Sequence, residues 1–196
     1  MRRFTFLTLL ASLLVGPSML PAQDRTTEQI RKQIAKLSDY GVFDNIEFTY
    51  SGGTATLMGE ASRPQLKSQA EKAVSRIEGV QNVRNEIEVL PNSNVDDSIR
   101  TAAYIRIYGN PNLSRYNPNR GTPLFASLTR MTFGLTQDPP AGRHPIHIIV
   151  KNSEITLEGV VDTEGDKVQA GMEANSVNGA LKVTNNLRVG GQGGNS

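Results

Sequence analysis

The chain of 196 residues contains no cysteine, no tryptophan and only two histidines. Without cysteine, the protein has neither a disulfide bond nor a thiol nucleophile. We also expect no lipid anchor of the bacterial lipoprotein type, because that anchor requires a cysteine at the start of the mature chain. The composition therefore excludes thiol-based catalysis and disulfide stabilisation.

The other residue patterns typical of catalysis are also missing. No serine lies in a Gly-x-Ser-x-Gly elbow. The two histidines, His144 and His147, are three positions apart, and on an extended strand their side chains point to opposite faces. A metal site would need more ligands than these. Asp96 and Asp97 open a predicted helix, where carboxylates interact favourably with the helix dipole. We therefore predict no enzyme activity, no cofactor and no metal.

The chain also lacks a large charge of either sign. It contains 21 Lys and Arg against 19 Asp and Glu, and Arg2 and Arg3 account for the excess. Binding of single-stranded nucleic acid would need a basic groove with stacking aromatic side chains. A neutral chain does not provide one, so we expect no nucleic-acid partner.

The one long apolar run lies at the N-terminus. Two arginines precede the run from Phe4 to Val15, and small residues and prolines follow it up to Ala22. This order is typical of a secretory signal peptide over residues 1–22. An uncleaved anchor is the alternative, because Leu20 is larger than the residue preferred there. The run is short for a transmembrane span, so we expect a periplasmic or secreted protein without a span in its mature chain.

The rest of the chain is an internal repeat. Residues 46–90 and 146–190 align without a gap at an offset of 100 positions, with coinciding apolar residues, turns and glycines. Each copy has a helical pattern, two alternating strands around a tight turn, a second helix and a third strand. This predicts an α+β fold: two small αββαβ domains, each a three-stranded mixed sheet covered by two helices. The domains are predicted over 24–91 and 95–190, with a flexible tail at 191–196.

Four glycines occupy equivalent places in the two copies: Gly59 and Gly159 after the second strand, where the chain is expected to turn toward the helix, and Gly79 and Gly179 after the second helix. Glycine permits a sharp turn or a close approach of two backbones. We interpret all four as structural glycines and not as binding residues.

The second copy has an insertion that the first lacks. Residues 109–143 separate its first helix from its first strand, a length that is usually either functional or disordered. No Asp or Glu occurs from Ser98 to Gln137, whereas arginines and aromatic residues do. An approximate apolar stripe over 124–135 favours a short amphipathic helix.

The predicted helix over 96–108 and this insertion form the candidate binding surface. If Ile99, Ala103 and Ile107 face the sheet, a basic and aromatic row lies near the opposite side. Tyrosine suits the headgroup boundary of a bilayer, and arginine pairs with phosphate. The candidate lipid- or partner-binding residues are Arg100, Tyr104, Tyr108, Arg106, Arg115, Tyr116, Arg120 and Arg130. The alternative is that the tyrosines cover the junction between the two domains and the arginines are merely solvated.

The arrangement resembles the BON domain (bacterial osmotically inducible and nodulation proteins) in tandem. Gly59 and Gly159 are the best markers of the resemblance. The other residues that carry it are, in the first copy, 55–61, Ala70, Val74, Ile77, 78–80 and 83–89, and in the second copy 150–162, Ala170, Val177, Gly179 and 183–189.

This resemblance implies an exported, envelope-associated protein without enzyme activity, which binds phospholipid surfaces or supports envelope integrity under stress. Because cysteine is absent, the chain looks more like the soluble, osmotically inducible periplasmic members than the lipid-anchored ones. We therefore expect it to dock on an anionic phospholipid surface through its second copy. The alternative is a protein-binding or chaperone-like periplasmic adaptor that uses the 109–143 loop to capture an envelope protein.

Overall fold

A computed structural model of the chain describes residues 22–117 and 145–190. These residues form two units with the same order of elements. The first unit contains α1 (Ala22–Ile34), β1 (Asn45–Ser51), β2 (Thr54–Ala61), α2 (Pro64–Val74), β3 (Asn82–Asn85) and β4 (Glu88–Val89). The second contains α3 (Asn94–Gly109), a short 3-10 helix (Ser114–Tyr116), β5 (Ile146–Lys151), β6 (Glu154–Val161), α4 (Glu164–Asn175), β7 (Lys182–Asn185) and β8 (Arg188–Val189).

Each unit contains one mixed sheet. In the first, β1 pairs antiparallel with β2, and both β3 and β4 pair parallel with β2 on its other side. β3 and β4 are therefore one third strand, interrupted at residues 86–87. The second unit repeats the register at the same offset: Thr54 lies opposite Asn82, and Glu154 lies opposite Lys182. The prediction of an α+β fold with two three-stranded mixed sheets and their helices is confirmed.

The apolar residues of each helix pack on one face of its own sheet and bury the two cores. Residues of the first core include Ile30, Leu57, Leu66, Ala70 and Ile87. Residues of the second include Ala103, Ile107, Ile148, Leu157 and Ala170. The second core also contains Val42, which comes from the first unit. The two units are therefore not packed independently.

Gly59 and Gly159 lie inside β2 and β6, not in the turn from strand to helix where we expected them. Their φ angles are +98° and +122°. A Cβ atom on Gly59 would lie 2.2 Å from the carbonyl oxygen of Asn45, and one on Gly159 would lie 2.1 Å from that of Pro145. Only glycine fits, because both the backbone conformation and the neighbouring strand exclude a side chain. Gly79 and Gly179 also have positive φ angles.

The tight turn of the second unit is built differently from that of the first. The first turn uses Gly52 and Gly53, whereas the second places Asn152 and Ser153 at φ angles of 52° and 63°. Both of their N–H groups donate to the Asp96 carboxylate, at 3.0 and 2.8 Å. Asp96 therefore does more than begin a helix: it binds α3 to the hairpin.

Several sequence predictions fall on residues that the structure does not describe. These are residues 1–21 of the signal peptide predicted over 1–22, the amphipathic helix expected over 124–135 and the tail at 191–196. Of the insertion, residues 109–117 are described. Within 22–117 and 145–190, no helix is both long enough and apolar enough to cross a membrane.

Candidate functional site

The row formed by Arg100, Tyr104 and Tyr108 on α3 is buried, with exposed fractions of 6, 0 and 2%. The Arg100 guanidinium donates to the carbonyl oxygen of Val150 at 2.6 Å, and the Tyr108 hydroxyl donates to that of Ile146 at 2.5 Å. The two ends of the row therefore bind α3 to β5. Our expectation that it lies on the outer side of the helix is wrong, because a segment of the first unit covers this side as well.

That segment is residues 40–44, the last part of the connection from α1 to β1. Val42 is fully buried in the second core. Its carbonyl oxygen accepts a hydrogen bond of 2.7 Å from the Ile148 N–H, so the segment occupies the free edge of β5. The Phe43 ring lies edge-on to Tyr104, with 6.2 Å between the ring centroids. Tyr104 thus lies at the junction of the two domains.

Further pairs extend the junction along β5. The Tyr40 ring stacks on His147 at 5.4 Å between centroids, and burial raises the pKa of the Tyr40 hydroxyl to about 12. Lys151 donates to both carboxylate oxygens of Glu88, at 2.6 and 2.8 Å. His147 therefore has a packing partner at the junction. Among the described residues, no group of three or more His, Asp or Glu side chains is arranged to hold a metal ion.

Acidic side chains from both domains meet beside this junction. Burial, and then repulsion from Glu158 and Glu88, raise the pKa of Glu60 above its usual value. The folded protein therefore holds a proton on Glu60 more tightly than the unfolded chain does. This one group therefore favours the folded protein as the pH falls through its raised pKa, the reverse of a carboxylate whose pKa is lowered in the folded protein.

Arg115 and Tyr116 are held against the N-terminal end of α4. The Arg115 guanidinium contacts the carboxylates of Asp162 and Asp166, and lies 4.7 Å from the centre of the Tyr116 ring. The Tyr116 hydroxyl donates to Asp166 at 2.9 Å and accepts from the Asp162 N–H at 2.7 Å. Thr163 completes a capping box with Asp166. The start of the insertion is thus fastened to the second domain.

The remaining candidate residues do not join this cluster. Arg106 is exposed on α3 and lies 4.0 Å from Glu173. Arg120 and Arg130 lie outside the described residues. The structure therefore divides the described candidate binding residues into three groups: the buried row on α3, the pair that bonds to the N-terminal end of α4, and one exposed arginine.

Replacing Asp166 with Asn tests the cluster at α4. Burial opposes ionisation of Asp166, but hydrogen bonds from Thr163, Tyr116 and Arg115 lower its pKa below the usual value. An amide cannot accept all of these bonds, so we expect Asp166→Asn to lower the free energy of unfolding at pH 7 by about 1.5–3 kcal/mol. The measurement is urea unfolding of both proteins between pH 7 and pH 3.

The deficit should shrink as the pH falls below about 4. A lowered folded-state pKa means that the unfolded chain binds the proton first, so wild type loses this stabilisation as the pH falls through the pKa of Asp166. Asp162→Asn is the matched control, because its 69% exposed side chain meets the same arginine and should contribute less than about 1 kcal/mol. A deficit independent of pH would contradict the assignment.

Exposed apolar side chains distinguish the second domain, and the sequence patterns above did not predict them. Among the described residues, the exposed large apolar side chains all belong to the second domain: Val95, Ile105, Val160, Val168, Met172 and Leu181. The repeat contained the signal, because three of these residues stand where the first copy has Ser, Lys and Gln.

These observations define a protein of two small α+β domains, joined through β5, with exposed apolar side chains on the second domain. The family model of the BON domain matches residues 22–91 and 134–191, which is well over half of the chain. The chain belongs to the BON domain family, and the predicted tandem arrangement is confirmed. BON domains are associated with phospholipid binding and envelope stress proteins and are generally non-enzymatic.

Neither solved structures nor curated proteins provide evidence for a function of this chain. Two solved structures of CdsD, a structural protein of the type III secretion system of Chlamydia trachomatis, are similar at 14 and 15% identity. They cover 83% of this chain and 91 and 96% of their own, with TM-scores of 0.28 and 0.27. Similarity at this level supports no functional conclusion. No curated protein matches the chain significantly.

Proposed function

We propose that this protein is a non-enzymatic, exported envelope protein that binds phospholipid surfaces through its second domain and so supports envelope integrity under stress. The observation that carries the proposal is the unequal distribution of exposed apolar side chains, which among the described residues lie in the second domain. Membership of the BON domain family supports the choice of a phospholipid partner.

The physical basis is the transfer of apolar side chains out of water. A Val, Leu or Met side chain that moves fully from water into an apolar environment contributes about 1.5–3 kcal/mol. Partial insertion of several such side chains would hold a domain on a bilayer, and basic residues near anionic headgroups would add about 1 kcal/mol each. The chain provides only weak overall electrostatic attraction, because its net charge is close to zero.

The described start of the insertion favours a bilayer over a captured protein as the partner. An adaptor loop must present its side chains to the partner. Instead, Arg115 and Tyr116 bind the acidic N-terminal end of α4, and Leu113 is fully buried in the second core. The side chains of this part of the insertion are therefore already engaged within the domain.

Vesicle co-sedimentation tests the proposed function. We expect the exported chain to pellet with vesicles that contain phosphatidylglycerol, and less with pure phosphatidylcholine. Added salt should weaken the binding but not abolish it, because salt screens the charges and leaves apolar insertion intact. Negligible binding to both vesicles at low salt would overturn the proposal. Capture of an envelope protein that depends on residues 118–144, without vesicle binding, would favour the adaptor.

A further inference from the structure

Three exposed apolar side chains stand on one edge of the second domain. Val168 and Met172 lie one turn apart on α4, and Leu181 immediately precedes β7. Their exposed fractions are 53, 62 and 81%. Scattered apolar residues are normal on protein surfaces, so the question is whether these three form one patch.

The internal repeat answers that question. At the equivalent positions the first domain has Ser68, Lys72 and Gln81, and these three side chains line a single open groove between α2 and β3. The second domain repeats the same helix, strand and register at an offset of 100. Its three apolar side chains therefore occupy the equivalent positions, beside the groove between α4 and β7.

Leu181 is held outward by its backbone. Its N–H donates to the carbonyl oxygen of Ser153 at 2.8 Å, just as the Gln81 N–H donates to that of Gly53 at 2.7 Å. This bond fixes the backbone at this position, and with it the direction of the Leu181 Cα–Cβ bond. The exposure of Leu181 is thus a property of the fold.

The two grooves also differ in charge. In the first, the Glu71 carboxylate accepts a hydrogen bond of 2.9 Å from Asn85. In the second, Gly171 stands at that position, and a Cβ atom there would lie 2.8 Å from the Asn185 amide nitrogen. The acid of the first groove is therefore absent from the second, and Met172 replaces the lysine. The centre of the second groove is left without charge.

Lysines adjoin the residues of this uncharged centre in the sequence. Lys167 precedes Val168, and Lys182 follows Leu181 with 63% of its side chain exposed. Glu154 lies 3.7 Å from Lys182, but an exposed pair of this kind contributes little. Lysine can extend its charge to the headgroup level while its stem stays beside apolar residues. Apolar residues with flanking basic ones are the pattern of surfaces that lie in the bilayer interface.

We propose that the apolar groove of Val168, Met172 and Leu181 is the surface that enters the phospholipid bilayer, with Lys167 and Lys182 at the headgroup phosphates. This inference rests on the proposed function and locates it on α4 and the start of β7. The buried row on α3 has no part in the contact. The occupant is the bilayer, because an uncharged centre with lysines on either side complements an anionic headgroup layer above an apolar interior.

The first domain supplies the test variant. We expect Val168→Ser, Met172→Lys and Leu181→Gln together to lower the affinity for vesicles containing phosphatidylglycerol by about 10- to 100-fold. These residues are exposed, and the replacements occupy the same backbone positions in the first domain, so folding should be unchanged by circular dichroism. The added lysine would by itself favour an anionic surface, so a loss cannot arise from charge.

Val95→Ser with Ile105→Ser is the matched control, because it removes exposed apolar side chains from α3 instead. It should leave binding within about threefold of wild type, a difference below 1 kcal/mol. The reverse graft, Ser68→Val with Lys72→Met and Gln81→Leu, should strengthen binding.

Three outcomes would overturn the proposal. If wild type and the triple variant bind vesicles equally, the groove is not the surface that enters the bilayer, and the proposed function stands. If wild type itself does not bind, both fail. If the triple variant keeps its vesicle binding and instead loses self-association in sedimentation velocity, the groove holds a second copy of the chain.

Discussion

Gly159→Ala is expected to lower the free energy of unfolding by about 3 kcal/mol or more, a large share of the stability of a small domain. The new Cβ would lie 2.1 Å from the carbonyl oxygen of Pro145, and the φ angle of +122° is one that alanine rarely adopts. Relief would require β5 and β6 to separate. The measurement is urea unfolding at equilibrium, and Gly59→Ala should behave alike in the first domain.

Gly165→Ala is the matched control. Gly165 lies in the first turn of α4, and the nearest atom to a Cβ there is the Thr163 hydroxyl oxygen at 3.6 Å. Alanine favours the helix over glycine, so this change should be neutral or raise stability by up to about 1 kcal/mol. Equal unfolding midpoints for Gly159→Ala and wild type would contradict the steric account.

The second large effect is expected at Val42, which belongs to the first domain in sequence and to the second in packing. Val42→Asp places a carboxylate in the second core. The substituted side chain lies next to the hydrogen bond from the Ile148 N–H to the carbonyl oxygen of residue 42. A buried ion without a partner is costly, so we expect a loss of about 3 kcal/mol or more. Amide hydrogen exchange should then accelerate in β5 and β6, far from the substitution in sequence.

Val95→Asp is the matched control, because it makes the same replacement of valine by aspartate at an exposed position. Val95 is 59% exposed in the first turn of α3, where an acidic residue interacts favourably with the helix dipole, so the change should stay within about 0.5 kcal/mol. Faster exchange confined to the first domain after Val42→Asp would show that the two domains are packed independently, against the structure.

The repeat made the fold predictable, because it is a local pattern that occurs twice. The alternation in β1, the proline that starts α2 and the glycines near the strand ends depend on backbone chemistry that each segment carries by itself. The four-residue β3 and the two-residue β4 are harder to predict from the sequence, because they are short. Their parallel pairing with β2 follows once α2 is recognised as the helix that connects β2 to β3.

The candidate site was less predictable, because sequence distance misleads about spatial distance. The stretch from Ser98 to Gln137 contains no acid, yet Arg115 meets Asp162 and Asp166, which lie 47 and 51 positions away. The Arg100, Tyr104 and Tyr108 row satisfied the rule for an outward helix face. That rule assumes that only one side of a helix is covered by other residues. In α3 a second side is covered by residues 40–44 of the first domain.

By itself, the sequence determined the two-copy α+β fold, the places where only glycine fits and the absence of thiol chemistry. Each of these depends on residue type and on neighbours close in the chain. Only the tertiary structure decided that residues 40–44 complete the second core, that the tyrosine row is internal and that Leu181 is held outward. The reason is that burial depends on which distant segment covers a side chain, and periodicity along one helix or strand carries no information about that segment.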